Sequence, residues 1–304
     1  MKGNEISQNK LSGGSEAWIA KLIQALTLKD YGRGTMKSYG NEMTLLFKYF
    51  HQKKVEDITQ EDVESYLLYI KSIHQVGRAK CRSVAQACSF FFKKVMKVNY
   101  IVPSNLYPKK QFLLPEIMSE EEVLQLMNTK SLTLREECVI GLLYGTGMRI
   151  SEVCNLRIQD IESTNQRIKV YQSKGARDRY TLLPVDLIEK LRAFYIEVGR
   201  PKEYLFTSTQ TKRAYCVRSM QTVVNSAMVK AGYPTGKYTA HTLRHSFATH
   251  MLDNGNNIHV IKTLLGHSKL ETTMIYLHLQ KHTQLSIVSP FDVLKKNNDG
   301  TDSK

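Results

Sequence analysis

Apolar residues recur every three to four positions through the first hundred residues, which is the spacing of amphipathic helices. The pattern begins at Trp18, continues over about 35–51 and through DITQEDVESYLLYI, and ends with a helix over about 77–98. In the third stretch, Thr59 and Asp62 form an imperfect capping box before the apolar run. The sequence therefore predicts a small all-helical domain at the start of the chain.

Three prolines and the absence of a sustained helical period in IVPSNLYPKKQFLLPEI predict a linker after this domain. Helical spacing then resumes behind a capping box at Ser119 and Glu122. The predicted organisation is a flexible tail at 1–15, a helical domain at 16–104, a linker at 105–116, a second domain at 117–294 and a flexible tail at 295–304.

One stretch of the second domain has the two-residue period of a strand. Ile168 alternates with Val170, and Tyr180 with Leu182, on either side of the turn SKGARD. This pattern predicts a β-hairpin with a basic tip. The expected fold class is α+β, mainly α with a small β-sheet.

The chain carries a formal net charge of +15 over 304 residues, and 42% of its residues are apolar. The apolar fraction excludes a disordered chain. The charge favours a polyanionic partner, with nucleic acid ahead of an anionic membrane surface.

The cysteines and the apolar runs indicate the compartment. The five cysteines are odd in number and form no C-x-x-C pair, which argues against a disulfide framework or a structural zinc site. No stretch resembles a signal peptide or reaches the roughly 18 apolar residues of a membrane span. We expect a cytoplasmic protein without membrane partners.

Four polar clusters carry candidate chemistry, and the first is GTGMRISE. Gly145 and Gly147 are expected to break a helix, and Arg149 opens the next one. An arginine beside the N–H groups of a helix start suits an anion. Glu152 lies one turn further on and could orient Arg149. A helix junction with a surface arginine explains the same residues.

The second and third clusters are Lys174, at the tip of the hairpin, and the motif HTLRH. His241 and Arg244 are three residues apart and share a helix face, and His245 follows. Two histidines four residues apart raise the question of a metal. However, the HExxH pattern is absent and the neighbouring arginine would repel a cation.

The fourth cluster, LLGHSKLETTMIY, contains His267 and Tyr276. Alone, either residue could belong to the core. Together, the four clusters supply two arginines, a lysine and histidines, all donors that suit a phosphodiester gaining charge in its transition state. Tyr276 is a potential nucleophile. No carboxylate cluster is seen that would hold Mg²⁺, so no cofactor is expected.

The blocks GTGMRISEV, SKGARDR, HTLRHSFATHML and LLGHSKLETTMIY resemble the signature blocks of the tyrosine recombinase (phage integrase/Xer) family, in that family's order. The resemblance spans about residues 18–294. It implies a helical SAM-like core-binding domain and a catalytic domain, which form a C-shaped clamp around DNA. It also implies cleavage and rejoining of strands through a 3′-phosphotyrosyl intermediate, without ATP or metal.

Carried over by motif, Arg149 and Arg244 would hold the scissile phosphate. Lys174 would be the general acid for the leaving 5′ oxygen. His241 would assist proton transfer from the tyrosine, and His267 would hydrogen-bond the phosphate.

The same resemblance makes Tyr276 the nucleophile and gives Glu152 a structural role beside the first arginine. His245 falls outside the carried-over catalytic set and is expected to pack or to cap its helix.

The resemblance implies site-specific recombination of double-stranded DNA by a tetramer on two sites, with accessory proteins as further partners. The leading interpretation is integration and excision of a mobile element, and the alternative within the family is Xer-type resolution of chromosome dimers. A hypothesis from another functional class is a DNA-binding regulator without catalytic activity. An apolar segment over 287–294 is expected to dock on a neighbouring protomer. Candidate DNA contacts are Arg78, Lys80, Arg82, Arg213 and Arg218.

Overall fold

The computed structural model describes residue 11 and residues 14–100, 114–171, 178–208 and 213–279. The chain divides into two compact units, Met1–Phe112 and Leu113–Lys304. This division falls inside the segment 105–116 that the sequence predicts as a linker. Most of that segment, most of the tail at 1–15 and the whole tail at 295–304 lie outside the described residues, so the predicted boundaries stay predictions.

The described residues of the N-terminal unit form four α-helices: α1 (Ser15–Thr27), α2 (Arg33–Tyr49), α3 (Gln60–Ser72) and α4 (Arg78–Phe90). Helix α4 continues into a π-helical segment at Phe91–Val95. The predicted capping box is confirmed, because Thr59 Oγ1 accepts from the Asp62 N–H at 3.2 Å and the Asp62 carboxylate accepts from the Thr59 N–H at 2.9 Å.

The core of this unit is formed by the apolar faces of its helices. Met43, Leu46 and Val84 are completely buried, and the rings of Phe47 and Phe91 meet edge to face at 5.4 Å. Burial of each such side chain stabilises the fold by about 1.5–3 kcal/mol. The helical spacing in the sequence therefore identified the face that packs.

The C-terminal unit contains eight described α-helices: α5 (Glu120–Met127), α6 (Leu134–Thr146), α7 (Ile150–Cys154), α8 (Val185–Glu197), α9 (Val217–Lys230), α10 (Ala240–Asp253), α11 (Ile258–Leu265) and α12 (Glu271–Met274). A 3₁₀ turn, Ile275–Leu279, follows α12. Helix α6 lies at the centre and contacts α8, α9 and α10. It is apolar around most of its circumference, which is typical of a buried helix.

A three-stranded antiparallel sheet accompanies these helices, with β1 (Ile161–Glu162), β2 (Arg167–Val170) and β3 (Arg179–Leu182) in that order. The hairpin of β2 and β3 confirms the sequence prediction. The short strand β1 was not predicted, because two residues are too few to show an alternating pattern.

In β3, the apolar residues that suggested the strand face solvent, and the polar residues between them are buried. Tyr180 and Leu182 are 42% and 43% exposed, whereas Arg179 and Thr181 are buried. Opposite them, Ile168 pairs with Thr181 on the buried face. The polar residues point inward because Arg179 pairs with a buried carboxylate in the site described below.

Among the described helices, none combines the length and the apolar character that crossing a lipid bilayer requires.

Candidate active site

Helix α10 carries the HTLRH motif, and its packing decides which of these side chains point inward. Thr239 caps the helix and accepts from the Thr242 N–H. Phe247, one turn further on, packs in the core. This rotation buries Arg244, which is 4% exposed, and leaves His241 exposed.

Arg244 is held by two backbone carbonyls. Its Nη1 donates to the Gly147 carbonyl, and its Nη2 donates to the Leu265 carbonyl at 2.8 Å and contacts His267 Nε2 at 3.3 Å. Burial, aided by the nearby charge of Arg149, lowers the pKa of Arg244 to about 10. The guanidinium therefore stays charged at neutral pH in a fixed orientation.

The backbone at Gly147 permits this arrangement. Gly147 ends α6 in the left-handed conformation, with φ of 64°, and a Cβ there would lie 2.5 Å from the ring of Phe247. Only glycine fits both the conformation and the space. The expectation that Gly145 also breaks the helix is wrong, because α6 runs through it to Thr146.

Glu152 joins two further arginines. Its carboxylate accepts from the Arg149 N–H at 2.7 Å and from Arg149 Nη1 at 2.8 Å, which is the predicted orienting contact. Arg179 donates to the same carboxylate through Nη1 at 2.9 Å and Nη2 at 2.7 Å, and its Nε donates to the Leu264 carbonyl. Burial by itself would raise the pKa of Glu152, but the hydrogen bonds and charge of Arg179, with those of Arg149, lower it. One carboxylate thus orients two guanidinium groups, and the site keeps a positive excess.

Tyr276 lies in the 3₁₀ turn after α12 and is 2% exposed. Its hydroxyl forms a hydrogen bond with His245 Nδ1 at 2.9 Å. Burial raises the pKa of Tyr276, and the charges of Arg244 and Arg149 oppose that rise. His245 is therefore part of the site, which corrects its expected role as a packing or capping residue.

His267 connects Arg244 with the turn that carries the tyrosine. Its Nδ1 lies 3.0 Å from Thr273 Oγ1, and its ring stacks on that of Tyr276 with centroids 6.4 Å apart. Burial, with the charges of Arg244 and Arg149, lowers the pKa of His267 to about 3, so the ring is neutral. Because a guanidinium only donates, Nε2 accepts from Arg244 and Nδ1–H donates to Thr273.

The structure thus brings together Arg149, Arg244, His267 and Tyr276 of the predicted site. His241 lies apart from the tyrosine hydroxyl. Its ring centroid is 6.4 Å from that of His245, and no hydrogen bond of its side chain occurs within the described residues. Lys174 and the predicted docking segment lie outside the described residues.

The candidate DNA contacts differ in their surroundings. Arg82, Arg213 and Arg218 are exposed, and Arg218 lines an open cavity of about 330 Å³ together with His241. Lys80 is already paired with the buried Glu42 at 2.5 Å, which makes it the weakest of the candidates. Within the part of the chain that the structure describes, no group of three or more His, Cys, Asp or Glu side chains could hold a metal ion.

Sequence reasoning missed two members of the site, Arg179 and His245. Arg179 follows the hairpin turn at an inward position opposite Val170, and a charged residue at a buried strand position was the available signal. His245 follows Arg244 directly and lies four residues after His241. That spacing raised the hypothesis of a metal site and gave no indication of a contact with Tyr276.

The chain matches two known domain families. Residues 116–283 match the Phage integrase family, and residues 18–101 match the family described as Phage integrase, N-terminal SAM-like domain. The first match covers more than half of the 304-residue chain.

Individual relatives cover most of the chain. A putative integrase/recombinase, y4qK, of Sinorhizobium fredii is 29% identical over 91% of this chain and 89% of its own length. The tyrosine recombinase XerA of Pyrococcus furiosus is 32% identical, and the match covers 80% of this chain and 85% of the length of that relative. The structure of the XerH site-specific recombinase in a post-cleavage complex with palindromic difH substrate aligns with a TM-score of 0.68 at 20% identity, covering 96% of this chain and 98% of that one.

Proposed function

Because the chain belongs to the phage integrase family and is a tyrosine recombinase, we propose that it integrates and excises a mobile element. Tyrosine recombinases cleave and rejoin DNA strands in site-specific recombination. The integrase/recombinase relative that matches nine tenths of the chain supports the mobile-element role. The sequence SPFDVL at 289–294, which resembles that of integron and transposon integrases, supports it as well. Xer-type resolution of chromosome dimers is the alternative, and the XerA relative matches to a similar extent.

The observation that carries the chemistry is a buried tyrosine hydroxyl beside two fixed guanidinium groups. Arg244 and Arg149 bind the non-bridging oxygens of the scissile phosphate, where charge develops in the transition state. Arg244 is fixed by the carbonyls of Gly147 and Leu265, while Arg149, with a side chain 35% exposed, is oriented by Glu152. Loss of either guanidinium should slow cleavage by about 10²–10³.

Tyr276 attacks phosphorus, which forms a 3′-phosphotyrosyl bond and releases the 5′ oxygen. Lys174 donates the proton that makes this oxygen a hydroxyl. The negative charge of the bound phosphate favours protonation of His267, whose Nε2–H then donates to a phosphate oxygen in place of its contact with Arg244. His241 assists proton transfer from its exposed position. Attack by a different 5′ hydroxyl reverses the step, so rejoining needs no external energy source.

The partner is double-stranded DNA carrying recombination sites, to which a net charge of +15 is suited. Recombination between two sites needs four protomers, and accessory proteins could regulate their assembly. The apolar segment over 287–294 docks on a neighbouring protomer. Deletion of residues 285–304 should therefore weaken assembly on DNA, and unchanged assembly would remove the segment from that role.

A mapping experiment tests the proposed role. Protein–DNA adducts are recovered under denaturing conditions from cells carrying the native genome, and the attached DNA is sequenced. Adducts at the ends of a mobile element are expected. Adducts at a single chromosomal locus unlinked to any element would replace this role with dimer resolution. DNA binding without any adduct would favour a DNA-binding regulator, which the intact catalytic set argues against.

A further inference from the structure

The hydroxyl of Tyr276 has one hydrogen-bond partner within the described residues, and that partner is His245. The Oη to Nδ1 distance is 2.9 Å, and the ring centroids lie 5.6 Å apart. His267, the other nearby imidazole, uses both ring nitrogens for Thr273 and Arg244. His241 is exposed, its ring centroid lies 6.4 Å from that of His245, and no hydrogen bond joins it to the tyrosine within the described residues. The geometry thus singles out His245 as the immediate proton acceptor for this hydroxyl.

The same helix offers a pair for comparison. Tyr144 OH and His250 Nδ1 also lie 2.9 Å apart, with His250 on α10. Burial raises the pKa of Tyr144, and the negative charge of Glu120 raises it further. The arginines beside Tyr276 act in the opposite direction. The two pairs therefore share their geometry but differ in charge: the arginines beside Tyr276 favour release of its phenolic proton, whereas Glu120 opposes release from Tyr144.

His245 is in the state that can accept a proton. The groups that face it are His241 and Arg244 on its own helix, Tyr276 in the 3₁₀ turn and His267 after α11. Burial first, then the charges of His241 and Arg244, lower the pKa of His245 to about 4, so the ring is neutral at neutral pH. In a neutral ring with Nε2 protonated, Nδ1 carries the lone pair that accepts from the Tyr276 O–H.

We propose that His245 is a catalytic residue that takes the hydroxyl proton of Tyr276 as the tyrosine attacks the scissile phosphate. The inference rests on the proposed function, since it needs Tyr276 as the nucleophile. The proposal assigns the first proton transfer to His245, the residue that follows the motif arginine Arg244. His241 then assists from the exposed side.

The step balances as follows. The bond from Tyr276 Oη to phosphorus forms, the bond from phosphorus to the 5′ oxygen breaks, and the Tyr276 proton moves to His245 Nδ1. The 5′ oxygen receives its proton from a separate acid, assigned above to Lys174. The bound phosphodiester brings negative charge beside the ring, which favours the imidazolium that forms. In rejoining, His245 returns the proton to Tyr276.

The test separates the two proton transfers. Full-length protein cleaves a suicide duplex that carries the site recovered from the adducts, with either oxygen or sulfur at the 5′ bridging position. A thiolate leaves without a proton, so the sulfur substrate removes the need for the acid but not for the base. The variants are His245→Asn, Lys174→Ala, His250→Asn as the matched control, and Tyr276→Phe. Asn at position 245 can place Oδ1 where Nδ1 lies and accept the hydrogen bond, but it takes no proton.

His245→Asn should cleave about 10²–10⁴ times more slowly than the unchanged protein on both substrates. Its rate should rise with pH, because hydroxide replaces the base. Lys174→Ala should recover on the sulfur substrate, and His250→Asn should cleave both substrates normally. Wild-type rates in His245→Asn, or rescue of that variant by sulfur, would overturn the inference. Adduct formation by Tyr276→Phe would instead overturn the proposed nucleophile, so the two failures are distinguishable.

A second measurement needs no variant that cleaves. In the full-length protein with ¹⁵N-labelled histidine rings, long-range ¹H–¹⁵N correlation should show His245 with Nε2 protonated and Nδ1 bare, and Tyr276→Phe should shift the Nδ1 signal. A proton on Nδ1 would make His245 a donor to the tyrosine oxygen and would contradict the inference even if His245→Asn did not fold.

Discussion

Arg179 shows how a residue remote from the nucleophile can decide the geometry of a site. Its bidentate contact with Glu152 fixes the carboxylate that in turn orients Arg149. The pair is buried, with side chains 4% and 9% exposed. A planar guanidinium matches a carboxylate in a way that the point charge of a lysine does not.

Arg179→Lys should therefore lower the single-turnover cleavage rate by about a hundredfold, because small displacements of a positioned group have effects of that size. DNA binding should change little. Arg167→Lys is the matched control, since Arg167 pairs with Glu162 on the exposed side of the same sheet. Equal cleavage rates in the two variants, measured below their melting temperatures, would show that Arg179 does not position Arg149.

At this scale the sequence predicted most of the site but not all of it. Arg149, Arg244, His267 and Tyr276 stand in motifs of fixed spacing, so they were identified without a structure. Arg179 was missed because its role depends on a contact with Glu152 across 27 residues of chain. His245 was missed because its partner lies 31 residues away, beyond two helices.

Among the elements, the junction between α6 and α7 carries the strictest steric demand. Gly147 combines a positive φ of 64° with a Cβ position 2.5 Å from Phe247 and 3.0 Å from Leu265. Its carbonyl also accepts from Arg244. A larger residue would displace both the helix end and the guanidinium.

Gly147→Ala should lower the free energy of unfolding by about 2–4 kcal/mol, which combines the left-handed strain with overpacking. Gly199→Ala is the matched control, because Gly199 has φ of 81° and nothing within 4 Å of the Cβ position. The control measures backbone strain alone. Chemical denaturation of both variants gives the comparison, and equal losses of stability would mean that Phe247 yields to the added methyl group.

Element types followed from periodicity more readily than element faces did. The amphipathic helices of the N-terminal unit and the hairpin in the C-terminal unit were predicted from spacing. The spacing did not predict which face of β3 is buried. Tyr180 and Leu182 form the apolar alternation but are exposed, whereas Arg179 and Thr181 point into the protein. A buried ion pair outweighed the hydrophobic pattern in deciding which side of the strand packs.

For the whole molecule, the net charge of +15 is the property that bears most directly on DNA. Each phosphate contact releases counterions and adds about −0.9 to the slope of log K against log salt. A protein that neutralises several phosphates should therefore lose affinity steeply as salt rises.

Binding titrations at several salt concentrations check this expectation residue by residue. Arg82→Gln and Arg218→Gln should each reduce the magnitude of the slope by about 1, if each contacts one phosphate. Lys53→Gln is the control, since Lys53 is exposed and already paired with Asp62 at 2.7 Å. A slope close to zero in the unchanged protein would contradict phosphate-dominated binding.

The central claim is that Tyr276 forms the covalent bond with DNA, and one comparison tests it most directly. Unchanged protein, Tyr276→Phe and Tyr144→Phe are expressed in cells with the native genome, and denaturation-resistant adducts are counted. Tyr144 is the matched control because its hydroxyl also contacts a histidine Nδ1 at 2.9 Å. The account predicts adducts from the unchanged protein and from Tyr144→Phe, and none from Tyr276→Phe despite normal DNA binding. Adducts from Tyr276→Phe at the same sites would contradict it.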